Sequence, residues 1–260
     1  MRFAALALLL AAAGCASALK EPRSLDVLAP GSGKEGAAQE LLESAQRSWA
    51  QRPDVESVRR AAQLYWQAAG ADHAAVEGLV GAIRAQVWLV EHEKDSARRT
   101  ELAVSSVEAG QWCQRRIPQS ATCDFWLAVA LGIQAREKRL TADDALKRMV
   151  DLLRRAAAAD PALDEAGPNR VLALVLLRAP SWPLGPGDVE AALDSARKAA
   201  GLRPDHPPNQ QALGEALRAN GQDGAAAFTR ALTEARRLAA SGDPDAPEWA
   251  KEAEAALRRK

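Results

Sequence analysis

The chain has 260 residues with 34 basic and 34 acidic side chains, so its formal net charge is zero. A neutral total implies no basic face, which argues against nucleic acid as a partner. After the first residues, the longest unbroken apolar segments are 125–131 and 171–177. Each is far shorter than the roughly 20 residues that a membrane helix needs, so composition excludes a later membrane span.

Residues 1–14 predict a secretory signal peptide. A positive charge at Arg2 precedes the unbroken apolar segment 3–13, which is too short for a stable membrane helix. Small residues then lead to Cys15, and this pattern resembles a bacterial lipobox with Ala12 where leucine is more usual. The alternative is an ordinary cleavage site with a cysteine nearby.

If the pattern is a lipobox, Cys15 is the lipidation site, and this is the interpretation that we favour. Lipidation predicts a location in the cell envelope, facing the periplasm, with the lipid anchor as the only membrane contact. Ala16 after the cysteine suggests the outer membrane, by resemblance to enterobacterial lipoproteins. Residues 15–36 are rich in proline and glycine and poor in apolar residues, so they predict a flexible tether.

Two further cysteines, Cys113 and Cys123, form an even pair in an exported chain. An oxidising compartment favours a disulfide, which would connect one predicted helix to the next. The alternative is two buried, reduced thiols. No histidine lies near either cysteine, and two ligands do not make a zinc site, so no metal is expected.

From residue 37 onward the pattern is helical, with breakers such as Pro118 and Pro204 between segments. Alternating β-branched segments are missing, so strand content should be near zero. Helices are predicted at 37–51, 54–69, 72–93, 96–116, 122–138, 142–159, 169–178, 189–200, 208–220, 224–239 and 246–258.

A repeated spacing of small residues identifies the fold class. The order Ala192-x3-Ala196-x2-Ala199-x4-Pro204 matches the second helix of a tetratricopeptide (TPR) repeat. Copies of this spacing begin at Met149 and at Gly224. We predict an all-α fold of antiparallel hairpins, stacked as a TPR-like right-handed array. The domain should cover 37–260, with an irregular helical first half at 37–140 and TPR-like hairpins at 141–260.

The turn at 179–188 contains three prolines and two glycines, which predict a stiff path. Asp188 suits the N-cap of the next helix. Trp182 has two interpretations: it pins the turn to the core, or it lines a ligand groove.

Catalytic constellations are hard to find. His73, His92 and His206 are far apart in sequence, and His206, before two prolines, is interpreted as a solvated turn residue. We therefore expect no catalytic residues, no metal and no cofactor. An enzyme remains a third hypothesis, because distant residues can converge in a fold.

The predicted helices 169–178 and 189–200, joined by the turn at 179–188, form a hairpin that carries a family resemblance. It opens with Ala166-Gly-Pro-x-Arg170, and its turn is Leu176-x-x-Ala-Pro-x-Trp-Pro-Leu-Gly-x-Gly-Asp188. With the closing Leu202-x-Pro204 and the lipobox, it resembles the TRAP-transporter-associated T-component (TatT) lipoproteins. The match is best over 160–235, and the Gly-Pro-Gly at 185–187 departs from the family's familiar form.

The resemblance implies a periplasmic solute-binding partner of a TRAP transporter and a groove for hydrophobic ligands. Our first hypothesis is a non-catalytic, lipid-anchored scaffold that binds an envelope protein, a peptide segment or an apolar small molecule. A second is a structural TPR lipoprotein in outer-membrane or pilus assembly. Candidate binding residues are Arg170, Trp182, Pro183 and Asp188, and for Arg170 and Asp188 the alternative is a salt bridge or cap that stabilises the turn.

Overall fold

The computed structural model describes residues 17–31 and 37–259. The predicted signal peptide and Cys15 lie outside the described residues. Within the described residues the chain is helical, and the one β-type pairing there is an isolated bridge between Ser181 and Gly187. The all-α prediction is confirmed. In chain order the helices are α1 (Leu25–Leu28), α2 (Ala38–Trp49), α3 (Val55–Ala71), α4 (Glu77–His92), α5 (Ser96–Arg116), α6 (Ala121–Glu137), a 3-10 turn (Arg139–Thr141), α7 (Ala142–Ala159), α8 (Leu163–Arg178), α9 (Val189–Leu202), α10 (Pro207–Ala219), α11 (Ala225–Ala240) and α12 (Ala246–Arg258).

Helices α2 to α12 pack as a stack in which each helix contacts the next one along the chain. The even-numbered helices also contact one another, from α2 with α4 through to α10 with α12. They therefore line one side of the stack, which we call the inner face. Helices α3, α5, α7, α9 and α11 form the opposite, outer face.

Small residues allow the helices to approach closely. Ala192, Ala196 and Ala199 are all fully buried, as the repeated spacing predicts. A Cβ added at Gly214 of α10 would lie 2.6 Å from the Phe228 ring of α11. In the first half, α3 and α4 approach each other equally closely, because a Cβ at Gly81 would lie 2.3 Å from the Tyr65 ring.

The core does not divide at residue 140, where the sequence pattern changes. One cluster of buried apolar residues extends from Ala18 to Ala192, and a smaller cluster joins α8, α9 and α10. Cys113 and Cys123 are both buried and form the predicted disulfide, which links the end of α5 to the start of α6.

The array curls until its two ends meet. Arg52, in the turn between α2 and α3, donates two hydrogen bonds to Asp245, at 3.2 and 3.1 Å, just before α12. The same guanidinium stacks on Trp49, 3.7 Å from the ring centroid. This ion pair joins residues 193 positions apart and links the two ends of the array.

Residues 17–31 differ from the predicted flexible tether. Leu25, Leu28 and Ala29 are buried against the helical body, and α1 packs on α3. The prolines and glycines predict a tether, but the apolar residues between them supply enough buried surface to pack the segment on the helices. The remaining tether residues, 15–16 and 32–36, lie outside the described part of the chain.

Within the described residues, no helix is long and apolar enough to cross a membrane.

Candidate functional site

The first turn of α8 is left-handed. Asp164, Glu165 and Ala166 have φ values of 48°, 55° and 62°, and the helix is right-handed only after them. For residues with a Cβ this conformation costs roughly 1–2 kcal/mol each, so neighbouring groups must stabilise it. Pro168 follows in the first right-handed turn, where a missing backbone N–H costs nothing.

Arg170 and Asn209 hold this left-handed turn. The Arg170 guanidinium donates to the carbonyl of Glu165 at 3.1 Å and to Asn209 Oδ1 at 2.9 Å. Its other amino group lies 3.5 Å from the Asp164 carboxylate. Burial lowers the pKa of Arg170, while Asp164 and Glu165 oppose this change. The arginine therefore has a charged partner and backbone acceptors, as a buried cation requires.

Asn209, at the start of α10, is fully buried and connects three segments. Its amide nitrogen lies 2.9 Å from the carbonyl of Glu165, 3.2 Å from that of Ala199 and 3.0 Å from that of Arg203. The side chain thus joins the starts of α8 and α10 to the end of α9. Sequence reasoning missed it, although its position just after Pro207-Pro208 marked a helix start.

His206 is not the solvated turn residue that the sequence predicted. Its ring packs edge-on against Trp249 of α12, with the ring centroids 5.4 Å apart. Burial, with the positive charge of Arg170, lowers the pKa of His206 from 6.5 to about 3. The ring is therefore neutral at physiological pH.

The turn between α8 and α9 forms a hydrogen-bonded loop. Gly187 N donates to Pro180 O at 2.8 Å, and Leu184 N donates to Ser181 O at 3.0 Å. A Cβ at Gly187 would lie 2.2 Å from the Ala179 carbonyl oxygen, so only glycine fits there. These bonds give the stiff path that the prolines and glycines predict.

The tip of this loop exposes apolar side chains. Trp182 is 87% exposed and Leu184 is 77% exposed. The interpretation that Trp182 pins the turn to the core is therefore wrong. We call Trp182, Pro183 and Leu184 the knob.

The predicted site residues do not converge. Arg170 lies near the start of α8, whereas the knob follows its end. The eight helical residues after Arg170 alone span roughly 12 Å. Asp188 accepts a hydrogen bond from the Ala191 N–H at 3.0 Å and caps α9. The contacts of Arg170 and Asp188 are those expected of residues that stabilise the hairpin.

The inner face carries carboxylates. Partial desolvation raises the pKa of Glu252 in α12, although its side chain still reaches solvent. The carboxylates of Glu248, Glu91 and Glu215 add to this rise, and Arg178 opposes it. Among the described residues, no group of three or more histidine, cysteine, aspartate or glutamate side chains is placed to hold a metal ion.

Comparison with known proteins identifies the fold. No protein-family model matches the chain, and no curated protein sequence matches it. Among solved structures, the chain is similar to TTC0263, a thermophilic TPR protein of Thermus thermophilus, with 20% identity and a TM-score of 0.60. That alignment covers 85% of this chain and 99% of TTC0263. The chain has a TPR-like fold.

Two structures of MamA show weaker structural similarity to this chain than TTC0263 does. One has 17% identity and a TM-score of 0.47, and covers 80% of this chain and 96% of MamA. The other has 19% identity and a TM-score of 0.46, and covers 71% and 92%.

Proposed function

We propose that the chain is a non-catalytic interaction scaffold of the bacterial cell envelope, which docks a partner protein through the knob. The observation that carries the proposal is a tryptophan and a leucine held in solvent on an internally hydrogen-bonded loop. Tryptophan is enriched among the residues that dominate binding energy at protein interfaces.

Preorganisation of the loop supports this role. Ordering a flexible loop on binding costs free energy, and a loop already held by backbone hydrogen bonds avoids most of that cost. The knob also lacks a structural duty, because its two large apolar side chains contribute little buried area. Side chains exposed in this way stabilise a complex more than they stabilise the free chain.

The cell-envelope location rests on the sequence. The signal peptide and lipobox support a lipid anchor at Cys15, facing the periplasm, with the outer membrane as the favoured site. The resemblance to TatT lipoproteins includes the knob itself, since Trp182-Pro183-Leu184 belongs to the matched turn. We therefore propose a TRAP-type solute-binding protein as the first partner to test.

Two other possibilities remain as outcomes of that test. A structural role in outer-membrane or pilus assembly predicts an integral membrane partner instead of a solute-binding protein. An apolar small molecule has less support, because the described inner face carries the carboxylates around Glu252.

The test captures partners from envelope extracts with the lipid-anchored chain and its variants. Replacing both Trp182→Ser and Leu184→Ser should reduce recovery of the captured partner at least ten-fold. The matched control is Leu140→Ser, because Leu140 is 84% exposed in the 3-10 turn before α7, away from the knob. A Cys15→Ala chain should move from the membrane fraction to the soluble fraction.

Equal recovery by the knob variant and the native chain, with both folded, would refute docking through the knob. A Cys15→Ala chain that stays with the membrane would refute the lipid anchor independently. The nature of the captured protein decides between the transport and assembly roles.

A further inference from the structure

Residues 17–31, which we call the strap, lie across the outer face. At one end, the Ala18 N–H donates to the Asp144 carboxylate of α7 at 2.8 Å. In the middle, the strap follows α5, and its helical turn α1 packs against α3. The strap thus crosses three outer helices in sequence.

Side chains of α5 hold the strap by its backbone. Gln111 donates to the Lys20 carbonyl at 2.8 Å, and Trp112 Nε1 donates to the Arg23 carbonyl at 2.9 Å. The Arg23 N–H in turn donates to Glu108 at 3.2 Å. Hydrogen bonds to the backbone of a bound segment, together with pockets for its side chains, are one way in which proteins recognise peptides.

One contact is specific for arginine. Glu108 lies in the middle of α5 with its side chain only 9% exposed. Both its carboxylate oxygens accept from the Arg23 guanidinium, at 2.8 and 2.6 Å. A buried carboxylate is costly unless a cation pairs with it, so this position favours an arginine on whatever segment covers it.

Two leucines complete the pattern. Leu25 and Leu28 are one helical turn apart and both are buried against the body. Together with Arg23 they give the spacing Arg-x-Leu-x-x-Leu, in which one charge and two apolar side chains meet the outer face.

The outer face has more room than the strap uses. A groove of about 980 Å³ opens beside the strap between α3 and α5. Its lining includes Gln86, which is 5% exposed and donates to Ser105 Oγ at 2.8 Å. The amide oxygen of Gln86 has no hydrogen-bond partner among the described residues. Exchanging the amide atoms would still leave one end unpaired, so the groove offers an unused hydrogen-bonding group.

We propose that the outer face of α3, α5 and α7 is a peptide-docking surface, which the strap occupies in cis. A partner's segment with the pattern Arg-x-Leu-x-x-Leu takes the same place when it displaces the strap, with its two leucines on one helical turn as in α1. Glu108 pairs with the segment's arginine, and Gln111 and Trp112 bind its backbone. This surface is separate from the knob and does not require a lipid anchor.

The experiment releases the strap from the surface by substitution and then adds the strap sequence as a separate peptide. In the strap-released chain, Arg23→Ala, Leu25→Ser and Leu28→Ser weaken the cis contact and leave the α5 side chains intact. The probe is a fluorescent synthetic peptide with the native sequence of residues 17–31, followed by anisotropy. It should bind the strap-released chain saturably and the native chain at least ten-fold more weakly, because a cis segment has an effective concentration on the order of millimolar.

Two controls define specificity. A peptide with the same three substitutions should not bind the strap-released chain. Adding Glu108→Gln to that chain should weaken binding of the native peptide at least ten-fold, with the far-UV circular dichroism unchanged.

Failure of the folded, strap-released chain to bind the native peptide would overturn the proposal, as would equal binding by the native chain. If the triple variant does not fold, the single Arg23→Ala chain provides the measurement. Excess native peptide should speed hydrogen exchange at the Ala18 amide of that chain, and an unchanged rate would overturn the proposal.

Discussion

The two ends of the α8–α9 hairpin differ in which side chains they bury and which they expose. At one end, the starts of α8 and α10 bury the charge of Arg170 and the amide of Asn209. At the other end, the loop exposes Trp182 and Leu184 to solvent. Arg170 and Asn209 both have hydrogen-bond partners, so their role is to stabilise the path of the backbone at this end. The exposed apolar groups have no such role, which is why we assign binding to that end.

The largest expected effect comes from breaking the polar end. Asn209→Leu removes an acceptor of Arg170 and a donor that faces three carbonyl oxygens. Leaving such groups buried and unpaired should lower the free energy of unfolding by roughly 3 kcal/mol or more. Urea unfolding followed by circular dichroism measures this loss.

The matched control is Asn220→Leu, because Asn220 also donates to backbone carbonyls but lies nearer to solvent. It should cost roughly 1 kcal/mol. Equal losses at the two positions would contradict the structural role given to Asn209.

A smaller effect should appear on acidification. The folded pKa of His206, about 3, lies below its unfolded value of 6.5, so the unfolded state binds the proton first. Stability from this group is therefore present above pH 6.5 and is lost as the pH falls towards 3. Between pH 7 and pH 5.5 the expected loss is roughly 1 kcal/mol.

The comparison needs a chain without the titrating ring. His206→Gln should show a shallower decline in unfolding free energy over the same pH interval, measured in parallel with the native chain. Identical slopes would mean that His206 is protonated in the folded state as easily as in the unfolded one.

The smallest effect belongs to the exposed end. Trp182→Ser should change the free energy of unfolding by less than about 0.5 kcal/mol, since the side chain is almost wholly in solvent. A loss above about 1 kcal/mol in urea unfolding would show that the ring supports the hairpin, and the contrast between the two ends would fail.

The helical array could be predicted from local patterns. Alanine and glycine at TPR spacing, such as Ala192 and Gly214, predict close helix packing because only small side chains allow it. Several helix boundaries followed from prolines and capping residues such as Asp188, since these signals act within a few residues. The starts of α4 at Glu77 and of α8 at Leu163 differ by five and six residues from the predicted starts at 72 and 169. The disulfide followed from an even pair of cysteines, together with the predicted signal peptide, which favours an oxidising compartment.

Long-range pairings could not be predicted from those patterns. In the sequence, Glu108 looks like any other carboxylate on a helix. The fold pairs it with Arg23, which lies 85 positions away in the chain. The same holds for Arg52 with Asp245, and for Arg170 with Asn209. The sequence alone therefore determined the helices, their order along the chain and the close helix contacts at alanine and glycine. Tertiary structure alone decided which charges are buried and which apolar residues are exposed, because burial depends on what distant segments bring to a site.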